Sequence, residues 1–423
     1  MPRPDGGLNS HLVVPLNIKF QRAVDRLAGV PICALLSLVD RLRQTLGVAA
    51  PASPPRRILV ILLSEMGSLV LAQPMFARLK REYPDASLHI MLFSKNREVL
   101  DLLGVIPQEN VLTIRDGSMM KFVSDSLAAI RKMRALEFDV VIDCELFSRV
   151  SSIFSYLSAA PVRVGFHPYT QEGLYRGSFI NRPVLYNPYR HLSQQLLAMS
   201  SAIESHSVPT SKVAAVEVEH PPMLAFTEEE MRRVDAQLYG DYPTLKDRKL
   251  VLVYPSGGIL PIRAWPLENY LQLCKELLGD GYAVGVIGLR EDKALAQSVV
   301  DHCGSPHCVN LAGYTKSVRH LLAIFNHASL LITNDGGPGQ FAALTPIPSL
   351  IFFGPETPQL YGSLSSNAHY FYSSLSCSPC LTAYNHRLSP CDGDNQCLKQ
   401  ITPERVLAKA RELLEAGMSG SIA

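Results

Sequence analysis

Short apolar runs recur from Arg57 onward, and the stretches between them read as helices. ILVILL (58–63), SLHIMLF (87–93), NVLTIR (110–115), DVVIDC (139–144) and VRVGF (162–166) form a first series. Near-continuous apolar runs of this length suit strands buried on both faces of a parallel sheet. A charged, proline-containing stretch at 217–222 separates them from a second series: KLVLVYP (249–255), YAVGVIG (282–288), HCVNLAG (307–313), SLLITND (329–335) and PSLIFFG (348–354). Alternating strands and helices define an α/β class, and two such series predict two doubly wound, Rossmann-like domains facing a cleft. The expected division is a helical extension and linker over 1–55, one domain over 56–220 and a second over 221–423.

Ahead of the first strand the pattern changes. A helix is expected over Ile18–Leu27, with Lys19, Arg22 and Arg26 on one face, and another from about Pro31 to Leu46 ending in Arg41 and Arg43. The second helix carries the run VPICALLSLV (30–39), too short for the roughly 20 residues a bilayer span needs. It has no small-residue cleavage site close behind it, so it does not read as a secretory signal. A basic stripe beside an apolar helix suits contact with a membrane surface; the same pair of helices can equally pack on the protein body or on a second subunit. AAPASPP (49–55) reads as a stiff linker. Further on, Thr227 and Glu230 have capping-box spacing, and the final helix from Pro403 can pack on either domain.

Candidate chemistry concentrates in residues 329–357, SLLITNDGGPGQFAALTPIPSLIFFGPET. A buried strand breaks into a loop with three glycines around Pro338, a small-residue helix starts at Gln340, and a second buried strand ends in Gly354-Pro355. Such a unit holds a phosphate on backbone N–H groups at a strand's carboxyl end; without a ligand it is a tight turn. No strand is followed by G-x-G-x-x-G with an acid about 20 residues later, which excludes the usual dinucleotide oxidoreductase.

Composition narrows the classes. Hydrophobic residues at 47%, charged residues at 18% and a formal net charge of +2 describe a folded globular chain with no general case for nucleic acid binding. Of 9 cysteines, Cys33, Cys144, Cys274, Cys303 and Cys308 are scattered in apolar or helical context and read as reduced thiols of a cytoplasmic protein. Cys377, Cys380, Cys391 and Cys397 follow C-x2-C-x10-C-x5-C, whose readings are a structural zinc site, disulfide staples or free thiols.

Four stretches in order carry a resemblance: LLSEMGSLVLAQP (62–74), RAWPLENYLQL (263–273), NLAGYTKSVRHLLAIFNHASLLITNDGGPGQFAAL (310–344) and FGPETP (353–358). With them the chain resembles glycosyltransferase family 9, the bacterial heptosyltransferases that use ADP-heptose to build the lipopolysaccharide inner core. The tail CSPC…C…CLKQITPERV (377–406) is similar to that of many members. The resemblance implies a GT-B fold, with the acceptor on the N-terminal domain and the nucleotide-sugar, an ADP-sugar first, on the C-terminal one. It also implies inverting transfer of a heptose-like sugar to lipopolysaccharide or another lipid-linked acceptor, without a metal ion. The expected location is the cytoplasm, peripheral to the inner membrane through the N-terminal helices.

Charge builds on a sugar nucleotide's diphosphate as the glycosidic bond breaks, so the site needs cations or N–H groups there. The resemblance gives this role to Gly336, Gly337 and Gly339 and to Arg263, which stands where the family usually has Lys. It lets Asp335 hold a ribose or sugar hydroxyl, or merely cap the following helix. Gln340 replaces a common His and offers phosphate an uncharged hydrogen bond. In the first loop the family's Gly-Asp, whose Asp is taken as the base, is Gly67-Ser68 here. A serine hydroxyl is no general base unaided, so Glu65 in the same loop is the expected base, with Ser68 beside it and Glu145 the second candidate. These departures leave a second reading open: a catalytically weakened binding or scaffold protein in the same envelope-glycan pathway.

Overall fold

The computed structural model describes residues 18–45, 54–63, 65–146, 148–166, 175–205, 218–383, 387–389 and 391–419. The linker at 49–53 and the 217 end of the charged stretch lie outside them.

β1 (Arg57–Ile61), β2 (Ser87–Phe93), β3 (Val111–Ile114), β4 (Val140–Asp143), β5 (Val162–Phe166) and β6 (Arg182–Val184) form one sheet in the order β3-β2-β1-β4-β5-β6. β7 (Leu250–Tyr254), β8 (Ala283–Gly288), β9 (Cys308–Ala312), β10 (Ala328–Asn334), β11 (Ser349–Phe353) and β12 (Ala368–Tyr372) form the other, in the order β12-β11-β10-β7-β8-β9. Every pairing is parallel. The two Rossmann-like sheets of a GT-B architecture are thus both present. All of the expected strands form, and two more appear, β6 and β12. Both lie at sheet edges, where a strand needs no continuous apolar run: β6 contains Pro183, and no residue of β12 is fully buried.

The strand order reverses between β1 and β4 in one sheet and between β7 and β10 in the other. Ligands of open α/β sheets bind outside the carboxyl ends at such switch points, because the flanking helices there diverge to opposite faces. Glu65 and Glu145 follow β1 and β4; Arg263 and Asp335 follow β7 and β10.

The two halves meet along α3 (Met66–Glu82; α1 is Ile18–Leu27 and α2 Gly29–Thr45), whose apolar residues join one continuous core with Phe341, Leu344 and Tyr361. Glu98 Oε1 accepts the Val318 N–H at 2.5 Å, and His191 Nε2 lies 2.9 Å from Gly362 O. Thr227 and Glu230 make the expected capping box. The final helix, Pro403–Ser419, packs on the C-terminal sheet's helix Leu267–Gly279, and Trp265 Nε1 donates to Ile401 O at 2.8 Å.

The N-terminal hairpin packs on the body inside out. α2 buries Gly29, Cys33, Ser37 and Asp40 against the helix Arg149–Leu157 and the segment 175–180. Small and polar residues suffice there because each polar one has a partner. Ser37 Oγ accepts the Ser178 N–H at 2.9 Å, Asp40 pairs with Arg163 at 2.9 Å, and Asp25 of α1 pairs with Arg149 at 3.3 Å. Leu36 packs inward, but the other leucines face outward: Leu27, Leu35, Leu38 and Leu42 are 77%, 61%, 56% and 58% exposed. Arg26, Arg41 and Arg43 are exposed with them. No helix among the described residues is long and apolar enough to cross a membrane.

Candidate active site

The loop after β1 is held at Leu63. Its N–H donates to Glu145 Oε1 at 2.7 Å, and its carbonyl accepts Asn96 Nδ2 at 2.8 Å and the Phe93 N–H at 3.2 Å. Glu145 is therefore buried and engaged in fixing this loop. Two residues on, Glu65 adopts φ 62° and ψ 112°, a left-handed conformation that costs a side-chain-bearing residue free energy and concentrates at functional sites. Glu65 is exposed, and Ser68, half-buried, donates its N–H to Glu65 O at 3.1 Å in the first turn of α3.

On the other side, Asn334 at the end of β10 is wholly buried and ties three segments together. Its Oδ1 accepts the Trp265 N–H at 2.8 Å and the Tyr270 hydroxyl at 3.1 Å, while Nδ2 donates to Ser256 O at 3.0 Å. This fixes Asp335 beside Arg263, whose Nη1 is 3.4 Å from Asp335 Oδ2 and 3.7 Å from Glu356 Oε2. Burial, and then the neighbouring Glu356, push the Asp335 carboxyl well above its ordinary range, with Arg263 opposing. Arg263 Nε is buried and has no hydrogen-bond partner among the described residues. An unengaged guanidinium donor can take an oxygen ligand.

The two loops touch. A Cβ placed on Gly67 would stand 2.9 Å from Gln340 Cγ, so only glycine admits this approach. Gln340 is buried, donates Nε2 to Tyr361 O at 2.7 Å, and leaves Oε1 without a partner among the described residues. Its amide N–H is thus turned to the protein, where a hydrogen bond to a ligand phosphate was expected. A Cβ on Gly336 would meet only Asn334 O, at 4.0 Å; Gly337 lies against Phe341, and Gly339 packs on Ile351 of β11.

Three residues of the site carried no assignment in the sequence: Asn334, Glu356 and Arg387. Glu356 lay within the FGPETP stretch, which was a signal without a role. Arg387 comes from the cysteine-rich tail, 322 residues from its partner Glu65, and nothing local marks it. Of the tail cysteines, Cys377 and Cys391 are exposed, Cys380 is half-buried and Cys397 is buried against Gly354. Ser389 Oγ donates to Cys380 Sγ at 3.1 Å, and no three His, Cys, Asp or Glu residues among those described gather to hold a metal ion.

Two facing Rossmann-like sheets, with a strained acidic loop opposite an arginine and a glycine-rich turn, define the GT-B class of glycosyltransferase. The sequence profile of glycosyltransferase family 9 (heptosyltransferase) matches residues 126–388, and the chain belongs to this family of enzymes. It is 24% identical over 375 residues to lipopolysaccharide heptosyltransferase 2 of Salmonella typhimurium, covering 85% of this chain and 98% of that one. Lipopolysaccharide heptosyltransferase 3 of Escherichia coli is 22% identical, covering 82% and 95%. Among solved structures, the fold is similar to E. coli ADP-heptose lipopolysaccharide heptosyltransferase II, with TM-score 0.65 and 20% identity over 86% of this chain and 99% of that one. A family 9 glycosyltransferase from Veillonella parvula gives TM-score 0.66 at 19% identity, covering 85% and 97%.

Proposed function

We propose that this glycosyltransferase moves a heptose-like sugar from an ADP-sugar to a lipopolysaccharide or other lipid-linked acceptor, inverting the anomeric centre without a metal ion. The buried, unpartnered Nε of Arg263 beside Asp335, joined to Glu65 through Glu356 and Arg387, carries this reading. Glu65 takes the proton of the acceptor hydroxyl as that oxygen attacks the anomeric carbon. Negative charge then grows on the departing diphosphate, where Arg263 and the backbone of Gly336, Gly337 and Gly339 stabilise it. Asp335 accepts a hydrogen bond from a donor hydroxyl, and Ser68 and Gln340 line the floor between the loops. In this scheme residues 56–220 form the acceptor domain and residues 221–423 the donor domain. Supporting the same reading, several relatives are named as lipopolysaccharide or lipooligosaccharide heptosyltransferases.

The outward leucines of α2 and the arginines beside them suit a cytoplasmic membrane surface, where an amphipathic acceptor resides. Exposed apolar stripes of this kind mark interaction surfaces.

A panel of ADP-, GDP- and UDP-sugars, scored for nucleotide release with and without lipopolysaccharide acceptors, tests the assignment. Acceptor-dependent release from an ADP-sugar is expected. Binding without release from any donor would favour the scaffold reading.

A further inference from the structure

Arg387 stands at the seam of the two halves. Its Nη1 pairs with Glu65, its Nε lies 3.3 Å from Glu356 Oε1, and its guanidinium sits 5.6 Å from the centre of the Tyr361 ring. Glu356 is also 3.7 Å from Arg263. One buried carboxylate thus joins two guanidinium groups, which matches the two phosphates of a diphosphate. We infer that Arg387 binds the donor's diphosphate, and that its pair with Glu65 is the donor-free arrangement, in which the carboxylate holds the place of a phosphate oxygen. This rests on the donor site proposed above.

Charge balance selects Glu65 as the group that yields. The carboxylates of Glu65 and Glu356 already balance the two guanidinium groups, and the Asp335 carboxyl beside them is pushed well above its ordinary range. An incoming diphosphate adds further negative charge at close range, and like charges there repel strongly. Asp335 and Glu356 have 6% and 3% of their side chains exposed and belong to the C-terminal side. Glu65 is 44% exposed and comes from the opposite sheet, so it can withdraw without unmaking either core. Its withdrawal has a consequence for the reaction. A carboxylate loses basicity beside a guanidinium and regains it when that cation is engaged elsewhere. Donor binding therefore converts Glu65 from a latch into a competent base, which orders the reaction donor first.

Calorimetric titration with ADP and with adenosine tests this on the full-length protein. Arg387→Gln should weaken ADP binding about ten- to a hundredfold while leaving adenosine unchanged, and Arg387→Lys should recover part of the loss. Glu65→Gln, on an exposed side chain whose change spares the core, should tighten ADP about two- to fivefold by removing the competitor. That gain should vanish in the Arg387→Gln background, because the pair is then already broken. ADP affinity unchanged in Glu65→Gln overturns the inference even where Arg387 variants fail to fold. Wild-type protein that ignores ADP removes the donor site itself, a different result from ADP binding blind to both substitutions.

Discussion

Asn334 Oδ1 lies 2.8 Å from the backbone nitrogen of Trp265, 69 residues away in the chain, and this bond ties the loop after β7 to the end of β10. Arg263 precedes Trp265 by two residues and Asp335 follows Asn334, so one buried amide aligns both charged groups. Replacing Asn334 with Leu keeps its size but orphans the Trp265 N–H and the Ser256 carbonyl. Stability should fall by about 2–4 kcal/mol in urea denaturation, and ADP affinity should fall with it. An unchanged denaturation midpoint would remove Asn334 from this role.

Arg263→Ala should weaken a nucleotide-diphosphate-sugar by about 1.5–3 kcal/mol and bare nucleoside hardly at all, since one charge-assisted contact to phosphate is lost. Equal losses for both ligands, measured by calorimetry, would place Arg263 away from the diphosphate.

The raised Asp335 carboxyl gives a pH signature. The folded protein keeps a proton there that the unfolded chain releases near about pH 3.9. Stability from this group is full below that value and is lost as pH rises through the folded one. Asp335→Asn removes the loss, so the variant should gain on wild type as pH rises above about 4 in urea denaturation. Parallel stability curves would mean that Asp335 titrates alike in both states.

Glu65→Gln keeps shape and hydrogen bonding but removes basicity. Turnover should fall by roughly 10²–10⁴ without any weakening of donor binding. Ser68→Asp, which restores the family's usual residue, should partly rescue that variant. Near-normal turnover in Glu65→Gln would transfer the role to Glu145, although Glu145 is already bonded to Leu63.

The outward face of α2 is testable by Leu38→Glu with Leu42→Glu. Removing the whole hairpin would instead strip Arg149 and Arg163 of Asp25 and Asp40. The double variant should stay folded by circular dichroism yet no longer float with anionic vesicles that carry the wild type at low salt. Should wild-type protein ignore such vesicles, the stripe is a protein-binding surface, and sedimentation velocity would show whether a second copy covers it.

Much of this protein was legible from residue order. Buried parallel strands announce themselves as apolar runs because both of their faces meet helices, and the Thr227–Glu230 cap is a purely local bond pattern. The loops carrying Glu65, Arg263 and Asp335 followed from the same logic, since a strand's carboxyl end lies beside the cleft in any doubly wound sheet. Edge strands β6 and β12 escaped because partial exposure erases the apolar run. The direction of α2 escaped for the opposite reason. Its apolar run points outward, and its small polar stripe packs because Asp40 and Ser37 find Arg163 and Ser178 on distant segments. The ion cluster at the cleft belongs wholly to tertiary structure. Arg387, Glu356 and Glu65 acquire their chemistry from mutual distance, and only the closure of two sheets brings a tail arginine onto the first loop.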